Sequence, residues 1–317
     1  MSLPPILSNL RVPVIGAPLF IVSNPALVIA QCKAGIVGSF PSLNARPASQ
    51  LDEWLHEITE ALAEHDRAHP HSPAAPFAVN QIVHRTNDRF EHDMQVCAKW
   101  KVPIVITSLG AREDLNHAVH DWGGVTLHDI IDDRYARKAI EKGADGIIAV
   151  AAGAGGHAGR WSPFALIQEI RKWFDGPLIL SGAIATGGAV LAAQAIGADF
   201  AYIGSPFIAT PEARATEEYK QAITEGGAAD IVTSALFTGV SGNYLRASIV
   251  AAGLNPDDLP APGPEAMNFQ SATGAKAWRD IWGSGQGIGV VDKVTPAEEL
   301  IARLAREYAE ARARLGL

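Results

Sequence analysis

The chain has 317 residues, 48% apolar and 19% charged, with 26 basic against 34 acidic side chains and a formal net charge of -8. That is enough apolar material for one large barrel or two modest domains, and the acidic balance argues against nucleic acid or an anionic membrane as partner. Cys32 and Cys97 are too few for a disulfide framework or zinc cluster, no basic-then-apolar leader is present and no apolar run reaches bilayer length, so a cytoplasmic protein acting on a small molecule is expected.

In chain order, short runs rich in β-branched residues alternate with amphipathic stretches. The runs predict strands over Val12–Gly16, Gly35–Ser39, Phe77–Asn80, Pro103–Ser108, Gly124–Leu127, Asp145–Val150, Pro177–Ser181 and Ala198–Ile203. Between the first of them, Ser23-Asn24-Pro25 opens one helix, and Pro47-Ala48-Ser49 opens another whose apolar residues Leu51, Trp54, Leu55, Ile58 and Leu62 recur at helical spacing. Gly143-Ala144-Asp145 and Gly197-Ala198-Asp199 each end a helix on glycine and launch an apolar strand, the joint a parallel sheet requires. Eight strands with helices between them predict an α/β fold, a (β/α)8 TIM barrel. The surplus falls at 205–289, read as a lid-like insertion after the eighth strand, with a helix at Glu217–Thr224, turn-rich Asn255–Pro264 and the aromatic pair Trp278 and Trp282. A C-terminal helix from Pro296 to Leu315 then returns to the barrel formed by residues 1–204 and 290–317. The insertion is either a cover that excludes water from the mouth or a surface excursion or homodimer contact.

Chemistry in such a barrel belongs at the C-terminal strand ends. Those ends carry Ala17-Pro18-Leu19, Asn80-Gln81, His128, the glycine-rich run Gly153-Ala154-Gly155-Gly156-His157, Ser181-Gly182 and Gly204-Ser205. The glycine run brings peptide N–H groups close to a ligand and sets one imidazole, able to trade a proton near neutral pH, among them, which suits a flat anionic cofactor beside a base. Ser181-Gly182 and Gly204-Ser205 occupy the seventh- and eighth-strand ends, where small residues and a helix start favour a phosphate. Gly239–Asn243 with Tyr244 is read two ways, as a substrate-pocket lid or as ordinary packing.

Residues 151–159, Leu180–Gly187, Gly197–Gly204 and Gly283-Ser284-Gly285-Gln286-Gly287, in that order, resemble the nitronate monooxygenase family, formerly 2-nitropropane dioxygenases. The resemblance implies a flavin-dependent oxidoreductase, a TIM barrel holding FMN without a covalent bond and oxidising alkyl nitronates with O2 to carbonyl compounds and nitrite. It implies that Ala17, Pro18 and Leu19 line the flavin, that Asn80 approaches its ring, that Gly182, Gly204 and Ser205 hold its phosphate, that His157 is catalytic and that Gln286 closes over it. Ser205-Pro206 stands where many relatives have threonine-arginine, His128 where several have lysine, and no methionine follows the first strand.

Duller readings stand beside these. His157 and His128 each suit a helix cap, and Asn80 suits a turn. His65, His69 and His71 lack the carboxylate or thiolate company of a metal site, so none is expected. A dinucleotide reading of Gly153–Ala158 fails because Asp175 precedes its strand, and Gly239–Asn243 lacks the last glycine of a serine-nucleophile elbow. The alternatives left are an FMN-dependent NAD(P)H-linked reductase, of quinone or enoyl-ACP type, and an FMN-binding protein of low turnover.

Overall fold

The β-branched runs form strands that bury both faces, as a parallel sheet wrapped in helices demands. In the computed structural model, which describes residues 3–261 and 279–317, they are β1 (Val14–Gly16), β2 (Gly38–Pro41), β3 (Phe77–Ile82), β4 (Ile104–Ser108), β5 (Val125–Ile130), β6 (Gly146–Val150), the two-residue β7 (Gly156–His157), β8 (Leu178–Ser181) and β9 (Phe200–Ile203), followed by β10 (Ile231–Ser234) and β11 (Gly242–Leu245). Eight are parallel in the order β1-β9-β8-β6-β5-β4-β3-β2, and a parallel bridge between Ile15 and Val37 joins the first to the last. The sheet is therefore a closed TIM barrel.

Strand alternation sorts the side chains into two layers. Ile15, Val37, Ala78, Ile104, Ile106, Leu127, Ile148, Ile179, Phe200 and Tyr202 fill the ring, joined by Leu7 from the short N-terminal turn. Their neighbours Val79, Val105 and Ile147 face outward into the helix layer. The expected helix starts are seen at Pro25–Lys33, where the Asn24 side chain accepts from the Leu27 N–H, and at Gln50–Ala68, which Ser49 precedes without a side-chain cap. At the two glycine-ended joints, Gly143 and Gly197 take φ of 87° and 113°. The aspartates beyond them fasten the next strand in the ring: Asp145 accepts from the Thr126 N–H, and Asp199 from the Leu178 N–H.

After β9 the chain forms a helix at Glu217–Glu225, then the antiparallel pair β10–β11. β11 also pairs with β7, so Gly242 and Asn243 lie opposite His157 and Gly156. This three-stranded sheet is absent from the sequence reading. Trp278 and residues 262–264 of the turn-rich segment lie outside the described residues. The C-terminal helix Ala297–Leu315 packs on the helix Gly187–Ala195. Among the described residues no helix is long and apolar enough to cross a membrane.

Candidate active site

The C-terminal strand ends converge on one cleft. Ala17, Pro18 and Leu19 after β1, Asn80 of β3, Ala154, Gly155, Gly156 and His157 after β6, Ser181 and Gly182 at β8 and Gly204 and Ser205 after β9 all line it. Three other predicted residues do not.

His128 is the clearest correction. β5 runs on to Ile130, so residue 128 is inside the strand rather than at its end. Leu127 points into the ring, so His128 points out, where its Nδ1 lies 2.5 Å from the Thr107 hydroxyl. The side chain that faces the cleft is Asp129. Tyr244 is buried instead in a small satellite core with Ile249 and Ile281, against Val232 and Phe237. Gln286 opens a short helical turn and turns its side chain outward, beside Gly153, while its flanking glycines present backbone to the cleft.

One side of the cleft is nearly all backbone. A Cβ on Gly155 would stand 2.7 Å from the Gly285 nitrogen, and one on Gly285 would stand 2.6 Å from the Gly153 carbonyl oxygen. The two glycine segments thus lie flat on each other, tied by the Gln286 N–H to the Gly153 carbonyl at 2.9 Å and by the Gly285 N–H to the Ser205 hydroxyl at 2.8 Å. At the end of β8, Gly182 has φ of 141° and the adjacent Ala183 has φ of 54°, a left-handed conformation that costs an alanine roughly 1 kcal/mol or more and clusters at functional sites. Among the described residues no lysine or arginine lines the cleft, and Pro206 forms part of its wall. An anion here would be met by peptide N–H groups and the Ser181 and Ser205 hydroxyls. With the apolar Ala17–Leu19 and Val150 beside them, these groups fit a flat ring that carries a phosphate.

His157 sits half-buried on β7. Its Nε2 is 3.1 Å from the Thr238 hydroxyl, which donates to the Val240 carbonyl at 3.1 Å. Which partner donates in the His157–Thr238 contact is set by the imidazole tautomer. Desolvation pulls its pKa down to about 4, so the imidazole is neutral at pH 7. The cleft floor holds a second polar group. Asn80 donates to Ser108 at 2.8 Å and Ser108 donates to Asp129, whose carboxyl burial pushes up to about 6 against the Ser108 bond.

Ser108, Asp129 and Tyr202 were missed, although counting alternate residues from Ile106, Leu127 and Phe200 would have turned each inward. Tyr219, stacked on Trp282 at 5.0 Å and donating to the Gly283 carbonyl, also lines the cleft. Thr238 reaches His157 only through β11, and no local pattern announces it.

Burial of His128 has a measurable consequence. Its pKa falls from 6.5 to about 4, so between those values the unfolded chain binds a proton that the folded one refuses. Its contribution is complete above about pH 6.5 and is lost as pH falls toward 4. His157 acts in the same direction, whereas Asp129, raised from 3.8 to about 6, stabilises at low pH and loses that as pH rises through 6. His128→Asn is expected to flatten the slope of unfolding free energy between pH 4 and 6.5 by up to about 1.4 kcal/mol per pH unit, read by denaturant melts. An unchanged slope would show that residue 128 titrates alike in both states.

A closed parallel barrel with a base-bearing cleft at its C-terminal face defines a TIM-barrel enzyme. The family model for nitronate monooxygenase matches residues 6–307, and the chain belongs to that family of oxidoreductases. It is 27% identical over 351 aligned positions to a nitronate monooxygenase of Paraburkholderia phytofirmans, covering 93% of this chain and 92% of the relative. It is 24% identical to a hydroxy-methyl-oxo-octahydroindene-carboxyl-CoA dehydrogenase of Rhodococcus jostii, covering 83% and 72% of the two chains. The solved nitroalkane oxidase of Streptomyces ansochromogenes superposes with a TM-score of 0.82 at 24% identity, over 98% of this chain and all of that one, a likeness of fold.

Proposed function

We propose that the protein is an FMN-dependent nitronate monooxygenase that oxidises alkyl nitronates with O2 to carbonyl compounds and nitrite, and that also accepts neutral nitroalkanes. The observation that carries the reading is a neutral imidazole lining a cleft beside a wall of nearly bare glycine backbone. FMN supplies the redox chemistry when bound. The chain's own residues hold, orient and deprotonate. Peptide N–H groups at Gly182 and Gly204, with the Ser181 and Ser205 hydroxyls, would hold the phosphate, and Ala17–Leu19 would pack against the ring. The neutral His157 imidazole would take the α-proton of a nitroalkane, with Thr238 holding the ring through its contact to Nε2. Residues 205–289 supply β11 against β7 and the glycine segment against Gly155, which supports a role as the cover that excludes water. Two buried thiols, Cys32 and Cys97, suit a reducing cytoplasm.

The test is anaerobic. Purified protein reconstituted with FMN is expected to lose its yellow absorbance on addition of a nitronate and to keep it with NADH. Bleaching by NADH alone would favour a nicotinamide-linked reductase, and a chain that takes up no FMN would remove the flavin reading.

A further inference from the structure

The proposed chemistry asks only His157 to handle protons, yet the floor of the same cleft holds another group able to do so. Asp129 is on β5, two residues beyond the inward-facing Leu127, and lines the cleft. Its hydrogen bonds all run one way. Asn80 donates from Nδ2 to the Ile106 carbonyl at 3.2 Å and to the Ser108 hydroxyl at 2.8 Å, and Ser108 passes its own hydrogen to Asp129 Oδ2. Oδ2 is thereby engaged, and Oδ1 is left as the atom that carries or lacks the carboxyl proton.

Among the described residues no lysine or arginine lines the cleft to answer this carboxyl. Ser108 of β4 and Asn80 of β3 are uncharged, and Val150 of β6 is apolar. Tyr202 of β9 is a phenol held protonated by burial and by Asp129 itself. His157, which lines the cleft, and His128 on the outer side of β5 are both held neutral by desolvation. A carboxylate buried among uncharged groups takes its proton back more readily than one in water. The value of about 6 agrees with that geometry.

We infer that Asp129 is the proton-holding residue of the cleft floor, donating a hydrogen bond as the neutral acid to an acceptor on the ring system bound above it. The inference rests on the flavin reading and adds the side chain that the ring's polar edge meets. Ionised Asp129 offers that acceptor only lone pairs and like charge, so ring binding is coupled to uptake of one proton.

Apoprotein titrated with FMN between pH 5 and 8, followed by quenching of flavin fluorescence, tests the coupling in wild type, Asp129→Asn and Ser108→Ala. The asparagine keeps an acceptor for Ser108 and directs its NH2 at the ring at every pH. The FMN phosphate titrates in this range in every protein, so the quantity to read is the ratio of the Kd of wild type, or of Ser108→Ala, to the Kd of Asp129→Asn. That ratio is expected to rise about tenfold per pH unit above pH 6, as one linked proton requires. In Ser108→Ala, which loses the bond favouring the carboxylate, the onset of the rise is expected to move to higher pH. With FMN bound by all three proteins, a wild-type ratio constant within about threefold across the range, or an onset moved downward in Ser108→Ala, overturns the role of Asp129 and leaves the flavin reading standing. Absence of FMN binding in all three overturns both.

Discussion

Changing His157 to asparagine is expected to leave FMN bound and to cut turnover of neutral nitroalkanes by about 10²–10⁴-fold, the usual contribution of a positioned general base, while preformed nitronates lose no more than about tenfold. The asymmetry follows from the chemistry, because a nitronate has already surrendered its α-proton and needs from residue 157 at most a hydrogen bond. Asparagine keeps a donor toward Thr238 but offers no nitrogen lone pair for the proton. The geometry also fixes the pH dependence. With the imidazole held to about 4, kcat/KM for a nitroalkane is expected to show no inflection at the ordinary histidine value of 6.5 and to fall only as pH approaches 4. So low a value keeps the base form fully populated at neutrality but weakens its pull on a carbon acid, so nitroalkanes are expected to be the slower substrates. Paired steady-state assays on one nitroalkane and its nitronate measure both effects. Equal losses on the two substrates would remove the base role.

The barrel was legible because its signals are local. Each strand is a short apolar run launched from a turn residue, and the aspartates at 145 and 199 mark strand starts in the letters themselves. Boundaries moved where a turn intervened: Gly35 has φ of 93° and closes a turn, so β2 begins at Gly38 rather than at Gly35. The cleft was legible to the same depth, as strand ends rich in small residues. It failed at β5, where stopping the strand at Leu127 made His128 look like an end residue and hid Asp129. Strand parity, which follows from the inward Leu127, carries that information without any homologue. What no local pattern contained was the second sheet. β7 has two residues and exists only because β11, some 85 positions on, pairs with it, so the partner of His157 and the satellite core that claims Tyr244 both depend on a long-range contact.

Gly187→Ala is expected to destabilise the fold by roughly 3 kcal/mol or more, at the upper end of what overpacking costs. Gly187 begins the helix Gly187–Ala195, whose Thr186 cap accepts from the Ala189 N–H at 3.2 Å. In isolation alanine would favour that helix by up to about 1 kcal/mol over glycine. Packing reverses the sign. A Cβ at 187 would stand 2.2 Å from the Leu304 carbonyl oxygen, 2.2 Å from the Tyr308 nitrogen and 2.7 Å from the Glu307 carbonyl carbon, all backbone of the C-terminal helix and so unable to rotate aside. That helix must back away as a body. Withdrawal stretches the bond from the Gly187 N–H to Glu307 Oε2 at 2.8 Å and the one from the Tyr308 hydroxyl to Gln194 at 2.5 Å. It also loosens buried Leu300, Ile301 and Leu304 from the outer core they share with Val190. At about 2–4 °C per kcal/mol for a chain of this size, the melting temperature should drop by roughly 6 °C or more. Since propensity and packing predict opposite signs, an unchanged or raised melting temperature would show that the C-terminal helix does not lie against residue 187 as closely as the backbone geometry requires.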